Sequence, residues 1–531
     1  MVLIRVISLL AFCYTLNAQE LYQNRYWLKL LHYKNNKSQI DDSSFFLSPN
    51  GKTSAKDELL ATLKAIKRDN PNDVNSTQCL FPARTRWLKE KLSNLSIKEC
   101  KNLKPKLKEL NFKQLYIVYT TSYMNSPASA FGHSFLRFDS NHSTPLLSYG
   151  LNYSAKIDTR NLLSYAYKGL FGGFEGRYIV APYYEIVNRY SNIESRDMWE
   201  YRLKFSPKEI EKITLHMIEM QRYYSNYYFN SENCAYNLLW FIDLARDELD
   251  LTNQFNYIVT PLDTIKALKS RNLLEKPTLR ASKLTKIKNL YSSIPYKSIA
   301  NRFLKDKNIS TIKNLPIDIQ RDIIDISILQ ENNQTLLKYR SKLGISKDKK
   351  IIKTDPTHTN LASRLNISIS DKSQLIYGFR ASYHDIYDID YDFNFGEYIS
   401  FFDIQMIDDR LKSIDFIKIN SLAIIDDLYH PISWGLDIGY KDEKAYIDGK
   451  AGVSFSFYDT LIFYEPTIEL SNQIKLGYQT GAIKRFHKTK LGIIDNSSDI
   501  ESFFTYQFDD NMAIDIRKKS HLFSFGLFYY F

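Results

Sequence analysis

From about residue 360 onward the chain alternates with a period of two. Leu436, Ile438 and Tyr440 alternate with Gly435, Asp437 and Gly439; Val453, Phe455 and Phe457 with Ser454 and Ser456; Met512, Ile514 and Ile516 with Ala513, Asp515 and Arg517. The last stretch reads Phe523-Ser524-Phe525-Gly526-Leu527-Phe528-Tyr529-Tyr530-Phe531. Successive side chains of a strand point to opposite faces, so this pattern predicts strands with one apolar face and one small or polar face. Repeated segments of about ten residues of this kind predict a membrane β-barrel, and the aromatic final strand resembles the C-terminal signal of outer-membrane barrels. A soluble all-β domain is the alternative with the same alternation.

Upstream the period changes. Residues 19–110 are basic and helical, with helices expected over Glu20–Lys34, Ser54–Lys67 and Arg84–Leu95. Residues 111–205 return to strands: Leu115–Tyr119, His133–Asp139 and Leu146–Tyr153. Ser206-Pro207-Lys208-Glu209 is a capping box with proline at the first helical position, followed by an apolar stripe of Ile210, Ile213, Met217 and Met220. A second helix opens at Cys234 and buries Leu238, Leu239, Ile242 and Leu244. A third starts at Thr260-Pro261-Leu262-Asp263. Residues 278–357 are Lys-, Ile- and Asn-rich and read as a helical connector. No segment reaches about 18 consecutive apolar residues, so no transmembrane helix is expected. The fold class is an α+β domain followed by an antiparallel all-β barrel. The divisions are a leader at 1–18, a helical region at 19–110, a catalytic domain at 111–277, the connector at 278–357 and the barrel at 358–531.

Composition sharpens this picture in three places. Hydrophobic residues make up 44% of the 531, which excludes a disordered chain, and 39 Tyr with 32 Phe suit the aromatic girdles of a barrel. The net charge of +12 has no helix-turn-helix, zinc-finger or RNA-binding pattern beside it. It reads as solvated surface first and attraction to anionic lipid second, with no nucleic-acid partner. Met1–Arg5, the apolar run Val6–Leu16 and Leu16-Asn17-Ala18 form an export leader with its cleavage site. Cys13 falls inside that leader. An oxidising compartment then pairs two of the three remaining cysteines, Cys79 with Cys100, and leaves Cys234 as a free thiol, either buried and inert or, as the polar residues before it favour, reactive.

The chemistry follows from that leftover thiol. A cysteine at a helix start and a histidine at a strand start, His133, are what a thiolate nucleophile and its base require. A hairpin turning at Asn141-His142 places His133 opposite Gly150, with Ser148 and Asn152 on the same face. Either can hold the imidazole as a third polar member, and Asn152 is the one assigned. Free N–H groups at the helix start are expected to lower the thiol pKa and to form part of an oxyanion hole. Tyr167-Lys168-Gly169-Leu170-Phe171-Gly172-Gly173-Phe174-Glu175-Gly176 lacks the ending of a phosphate cradle and reads as a flap or a close-packed turn. His142, His216, His358 and His384 have no spaced carboxylate or thiol partners, so neither a metal site nor a cofactor is expected. Asp408-Asp409 and Asp426-Asp427 read as turn charges. The Tyr223-Tyr224 and Tyr227-Tyr228 pairs, at helical spacing, read as core or rim.

Four stretches together resemble one family: Cys79-Leu80-Phe81-Pro82-Ala83-Arg84, Asn125-Ser126-Pro127-Ala128-Ser129-Ala130-Phe131-Gly132-His133, Tyr167–Gly173 and Glu232-Asn233-Cys234. They are similar to the Lnb N-terminal periplasmic domain, over roughly residues 20–280. The resemblance implies a permuted papain-like fold with histidine before cysteine, Cys234 as nucleophile and His133 as base. That family carries its domain on membrane helices, which this chain lacks. The expected function is an exported cysteine-dependent acyltransferase or lipid-ester hydrolase, working through an acyl-thioester on a membrane lipid or lipoprotein. Its place is the periplasm, held at the outer membrane by the barrel. The alternatives are a peptidase or amidase on cell-wall peptide, and a non-catalytic outer-membrane binding protein.

Overall fold

The computed structural model describes residues 21–92, 96–124, 131–141, 144–346, 349–390 and 394–531. The expected leader, the small-residue loop 125–130 and part of the 140–143 turn lie outside the described residues. The described residues divide into two compact units, one drawn from residues 21–120, 133–189 and 199–278 and the other from residues 121–132, 190–198 and 279–531.

In the first unit a sheet is built from β1 (Gln114–Thr120), β2 (His133–Asp139), β3 (Tyr149–Lys156), β4 (Phe174–Pro182) and β5 (Tyr224–Tyr227), in the order β5-β4-β3-β2-β1. The pairings given by register are antiparallel. Its main helices are α1 (Arg25–Leu30), α2 (Ala55–Arg68), α3 (Pro82–Lys91), α4 (Leu162–Phe171), α5 (Pro207–Met220), α6 (Cys234–Asp243) and α7 (Pro261–Ser270). Ser206 caps α5 through the expected reciprocal box, and Ile210, Ile213, Met217 and Met220 face inward. Every residue of α6 is buried. It packs against β2, β3, α5 and α7, which makes it the central rod of the unit.

The N-terminal helices contribute to this core rather than merely preceding it. His32 stacks on Trp240 of α6 with ring centroids 4.9 Å apart. Its Nε2 lies 2.9 Å from Nε2 of His216, whose Nδ1 is 3.0 Å from Glu219 Oε2. Glu219 also accepts the Arg84 backbone N–H, and Arg84 pairs with Glu58 at 2.6 Å, both side chains fully buried. So His216 does have a carboxylate partner, three residues along its own helix, contrary to the sequence reading. The Cys79–Cys100 disulfide is formed, with sulfurs 2.06 Å apart.

The glycine-rich stretch is neither flap nor loop. It is the end of α4, then Gly172 in the left-handed region (φ +78°), then the start of β4. The close-packing half of the expectation does hold. A Cβ at Gly169 would lie 2.1 Å from the Phe229 ring, one at Gly172 2.3 Å from Tyr228, and one at Gly176 2.1 Å from the Tyr153 hydroxyl. The missing side chains let Phe229 and Tyr228, which lead into α6, close on the end of α4, and let Tyr153 of β3 lie against β4.

In the second unit four helices, α8 (Lys283–Ser292), α9 (Lys297–Asp306), α10 (Ile317–Gln330) and α11 (Gln334–Lys342), enclose their own core of Ile287, Phe303, Ile312, Ile323, Ile324 and Ile326. Leu428 and Tyr429 pack against that core. Asp426 and Asp427 take part as well: Lys288 pairs with Asp426 at 3.0 Å and the Tyr291 hydroxyl donates to Asp427 at 3.0 Å.

Twelve strands follow: β6 (Arg364–Ser370), β7 (Leu375–His384), β8 (Glu397–Ile407), β9 (Arg410–Ser421), β10 (Ser433–Lys441), β11 (Lys444–Phe457), β12 (Thr460–Leu470), β13 (Ile474–Phe486), β14 (Thr489–Asn496), β15 (Asp499–Gln507), β16 (Met512–Lys519) and β17 (Leu522–Tyr530). Each pairs antiparallel with its neighbour in sequence, and β17 returns to β6 with Arg364 opposite Tyr530. That pairing leaves no edge, so the sheet is a closed barrel. The alternation is inside-out. Leu365, Ile367, Ile369, Phe455, Ile462, Ile493, Phe525 and Leu527 are exposed, while Ser368, Ser370, Ser454, Asp515 and Ser524 are buried. A soluble barrel puts its apolar face inward; an apolar exterior is the pattern of a barrel in lipid.

The interior is filled. Behind β7 the chain folds inward, and Ile386 and Phe395 join Leu461, Phe463, Ile483, Ile494 and Phe503 in a buried cluster. Beside it Asp388 accepts from Arg364 at 2.8 Å, from the Tyr530 hydroxyl at 2.8 Å and from Arg380. Asp390 binds Lys490 at 2.8 Å and His384 at 3.0 Å. His384 therefore also has carboxylate partners, which corrects the sequence reading a second time.

Candidate functional site

Cys234, His133 and Asn152 converge within the first unit. Asn233 caps α6: its side-chain oxygen accepts the N–H groups of Ala235 and Tyr236 at 3.1 and 3.2 Å. Its amide nitrogen donates to the carbonyls of Phe229 and Val259 at 3.1 and 2.6 Å. One side chain thus locks the turn that presents Cys234. Among the described residues Cys234 is the one cysteine outside a disulfide, and it is 6% exposed.

His133 opens β2, and its Nε2 lies 3.0 Å from Asn152 Oδ1 on β3. A carbonyl oxygen only accepts, so Nε2 carries the proton. Burial pushes the Cys234 thiol up. The His133 side chain, the Ser134 backbone N–H and the Tyr227 hydroxyl together outweigh burial and hold it below the usual thiol value.

The hairpin register differs from the sequence expectation. Arg137, not His133, lies opposite Gly150, because the turn sits farther along the chain. The slip is four residues. An even slip keeps every side chain on its face, so Asn152 still reaches His133 diagonally. Ser148 does not: it is buried at the end of a short turn, its N–H on Pro145 and its carbonyl accepting from Tyr183.

A second correction concerns the helix start. The N–H groups of Ala235 and Tyr236 are taken by Asn233, and that of Cys234 donates to the Tyr227 hydroxyl at 3.1 Å, so none of the three is free. Tyr227 is the residue sequence reasoning missed. Its segment is strand β5, not a helix. The available signal was the alternation of Ser225 and Tyr227, both buried, with Tyr224 and Asn226.

A cavity of about 410 Å³ adjoins the same segment, lined by Lys34, Lys52, Asp41, Glu232, Tyr228 and Tyr236 among others. Its character is polar. Burial and the nearby Asp41 charge raise the Glu232 carboxyl to about 7, although Gln39 donates to it at 2.8 Å. Lys34 is fully engaged, donating to the carbonyls of Thr252 and Phe255 and to the Tyr236 hydroxyl.

No curated protein matches the chain. Two solved structures are similar over the barrel-sized part. One is the KdgM porin in complex with disordered oligogalacturonate: 11% identity, TM-score 0.23, covering 32% of this chain and 99% of that one. The other is the Acinetobacter baumannii outer membrane protein Omp33: 11% identity, TM-score 0.21, covering 33% of this chain and 100% of that one. At those values the barrel rests on its own strand pairing. Residues 19–91 and 353–490 match two families described as domains of unknown function, DUF7843 and DUF7840. Residues 103–271, which hold Cys234, His133 and Asn152, match the family described as Lnb N-terminal periplasmic domain.

Proposed function

We propose that this protein is a cysteine-dependent acyltransferase or ester hydrolase of the cell envelope, anchored in the outer membrane by its barrel. The observation that carries the reading is the unbridged Cys234 at the start of α6, a helix that packs on the strand opened by His133, whose Nε2 is held by Asn152. The thiolate attacks an acyl carbonyl, His133 hands its proton to the leaving oxygen, and the acyl group waits on sulfur as a thioester. An amine or water then takes it. The order histidine strand before cysteine helix suits a permuted papain-like arrangement, and the Lnb match supports a role near lipoprotein processing. The apolar barrel exterior supports outer-membrane residence, and export through residues 1–18 belongs to the same reading.

A direct test is Cys234→Ala in the full chain, incubated with phospholipid vesicles carrying lipidated peptide. Loss of fatty-acyl transfer and of a trappable acyl-thioester is the expected result; retained transfer would sink the mechanism.

One observation favours a second reading, an amidase or peptidase on cell-wall peptide. The cavity beside α6 is lined by charged and hydroxyl groups rather than by an apolar groove. Release of peptide from purified peptidoglycan, with no acyl release from vesicles, would select it.

A further inference from the structure

We propose that Tyr227 is a catalytic residue whose hydroxyl donates to the oxyanion formed when the Cys234 thiolate attacks. The inference rests on the reading of Cys234 as nucleophile and adds a residue to it. Three observations carry it. First, the Tyr227 oxygen accepts the Cys234 N–H at 3.1 Å. A phenol oxygen that accepts an N–H still has its own proton to give. Two donors, the Cys234 N–H and the Tyr227 O–H, therefore meet at the residue that bears the reacting sulfur. An oxygen arriving between them receives both, and the Cys234 N–H exchanges a phenol acceptor for a charged one.

Second, the ring is fixed from several sides. It stacks on Tyr153 with centroids 5.6 Å apart and planes 13° apart, and meets the Phe229 edge at 6.0 Å. Its backbone pairs with Phe174 on β4. Tyr153 occupies this place because Gly176 carries no side chain. A donor held by its surroundings needs no reorganisation at the moment of reaction.

Third, the group stays protonated. Burial, then the adjacent Cys234 charge, push the Tyr227 phenol well above its ordinary value. It remains a donor wherever Cys234 is ionised. With the Asn233 side chain occupying the next two N–H groups of the helix, Tyr227 supplies what the backbone does not.

In the step, the Cys234 sulfur–carbon bond forms and the carbonyl π pair moves onto oxygen, where Tyr227 donates a hydrogen bond and keeps its proton. On collapse the pair returns, the carbon–oxygen bond to the leaving group breaks, and that oxygen takes the proton from the His133 imidazolium. Deacylation by water or amine passes through the same oxygen position, with His133 accepting the proton.

The test uses the full chain in detergent, with a p-nitrophenyl ester as acyl donor and iodoacetamide as thiol probe. In Tyr227→Phe, kcat should fall about 10²–10³-fold with KM little changed. The pH midpoint of Cys234 alkylation should rise, because a group that favours the thiolate is gone. A variant within threefold of wild type in kcat, with the same alkylation midpoint, overturns the proposal. Should Tyr227→Phe not fold, 3,5-difluorotyrosine at position 227 supplies a stronger donor of nearly the same shape. The alkylation midpoint must then fall, and an unchanged midpoint overturns the proposal equally. Turnover that survives Cys234→Ala overturns the underlying function as well. Turnover abolished by Cys234→Ala but kept by Tyr227→Phe removes the tyrosine alone.

Discussion

At the scale of single residues, electrostatics around α6 governs both reactivity and stability. The thiol of Cys234 is lowered although burial works against it, so its partners must supply the difference. Alkylation by iodoacetamide should titrate below the value for a free thiol, and His133→Ala should return the midpoint upward. Asn152→Ala leaves the base in place but unoriented. It should reduce turnover by less than the roughly 10²–10⁴-fold expected for losing the base itself, measured as kcat at fixed pH. Glu232 gives a stability prediction of opposite sign to most carboxylates. Its folded pKa of about 7 lies above the ordinary 4.5, so the folded chain keeps a proton that the unfolded chain releases. The associated stability is complete below pH 4.5 and is lost as pH rises through about 7, on the order of 3 kcal/mol by pH 8. Glu232→Gln should therefore raise the unfolding temperature at pH 8 and leave it nearly unchanged at pH 4.

At the scale of elements, the short connections decide whether the site exists. The Asn233 cap, the β2–β3 pairing and Gly176 of β4 each place one chemical group. The disulfide acts farther off. Cys79 and Cys100 are 21 positions apart and close one loop around α3. Cross-linking a loop of that size stabilises by about 2–4 kcal/mol. Cys79→Ser with Cys100→Ser should lower the unfolding temperature of the domain while leaving the Cys234 alkylation midpoint in place. A shifted midpoint would mean that the helical region positions the thiol directly.

For the whole molecule, the proposed membrane anchor is a barrel with an apolar exterior and a packed interior. The Arg364, Arg380 and Asp388 cluster, the Asp390–Lys490 pair and the Ile386 and Phe395 side chains occupy the space through which a porin conducts. The purified protein should insert into liposomes yet give no steady conductance in planar bilayers. Open-channel currents of porin size would contradict the packed interior.

What the sequence determined by itself is whatever period and local capping carry. The strand character from about residue 360 onward announces itself because an apolar exterior and packed polar groups inside impose a two-residue alternation, while the count of twelve came only from the strand pairing. The starts of α5, α6 and α7 announce themselves through Ser206, Asn233 and Thr260, whose side chains bond backbone within three residues. The free thiol follows from counting cysteines, and Asn152 keeps its face because an even slip preserves parity. Tertiary structure alone decided the rest. Ser148 and Asn152 are alike in the sequence, and only the register of β2 on β3 separates them. Tyr227 looked like packing until the fold set its hydroxyl against the Cys234 N–H. His216 and His384 found carboxylates through helix geometry and an inward-folded segment. These distinctions depend on contacts between residues far apart or on the path of a loop, and no local pattern encodes either.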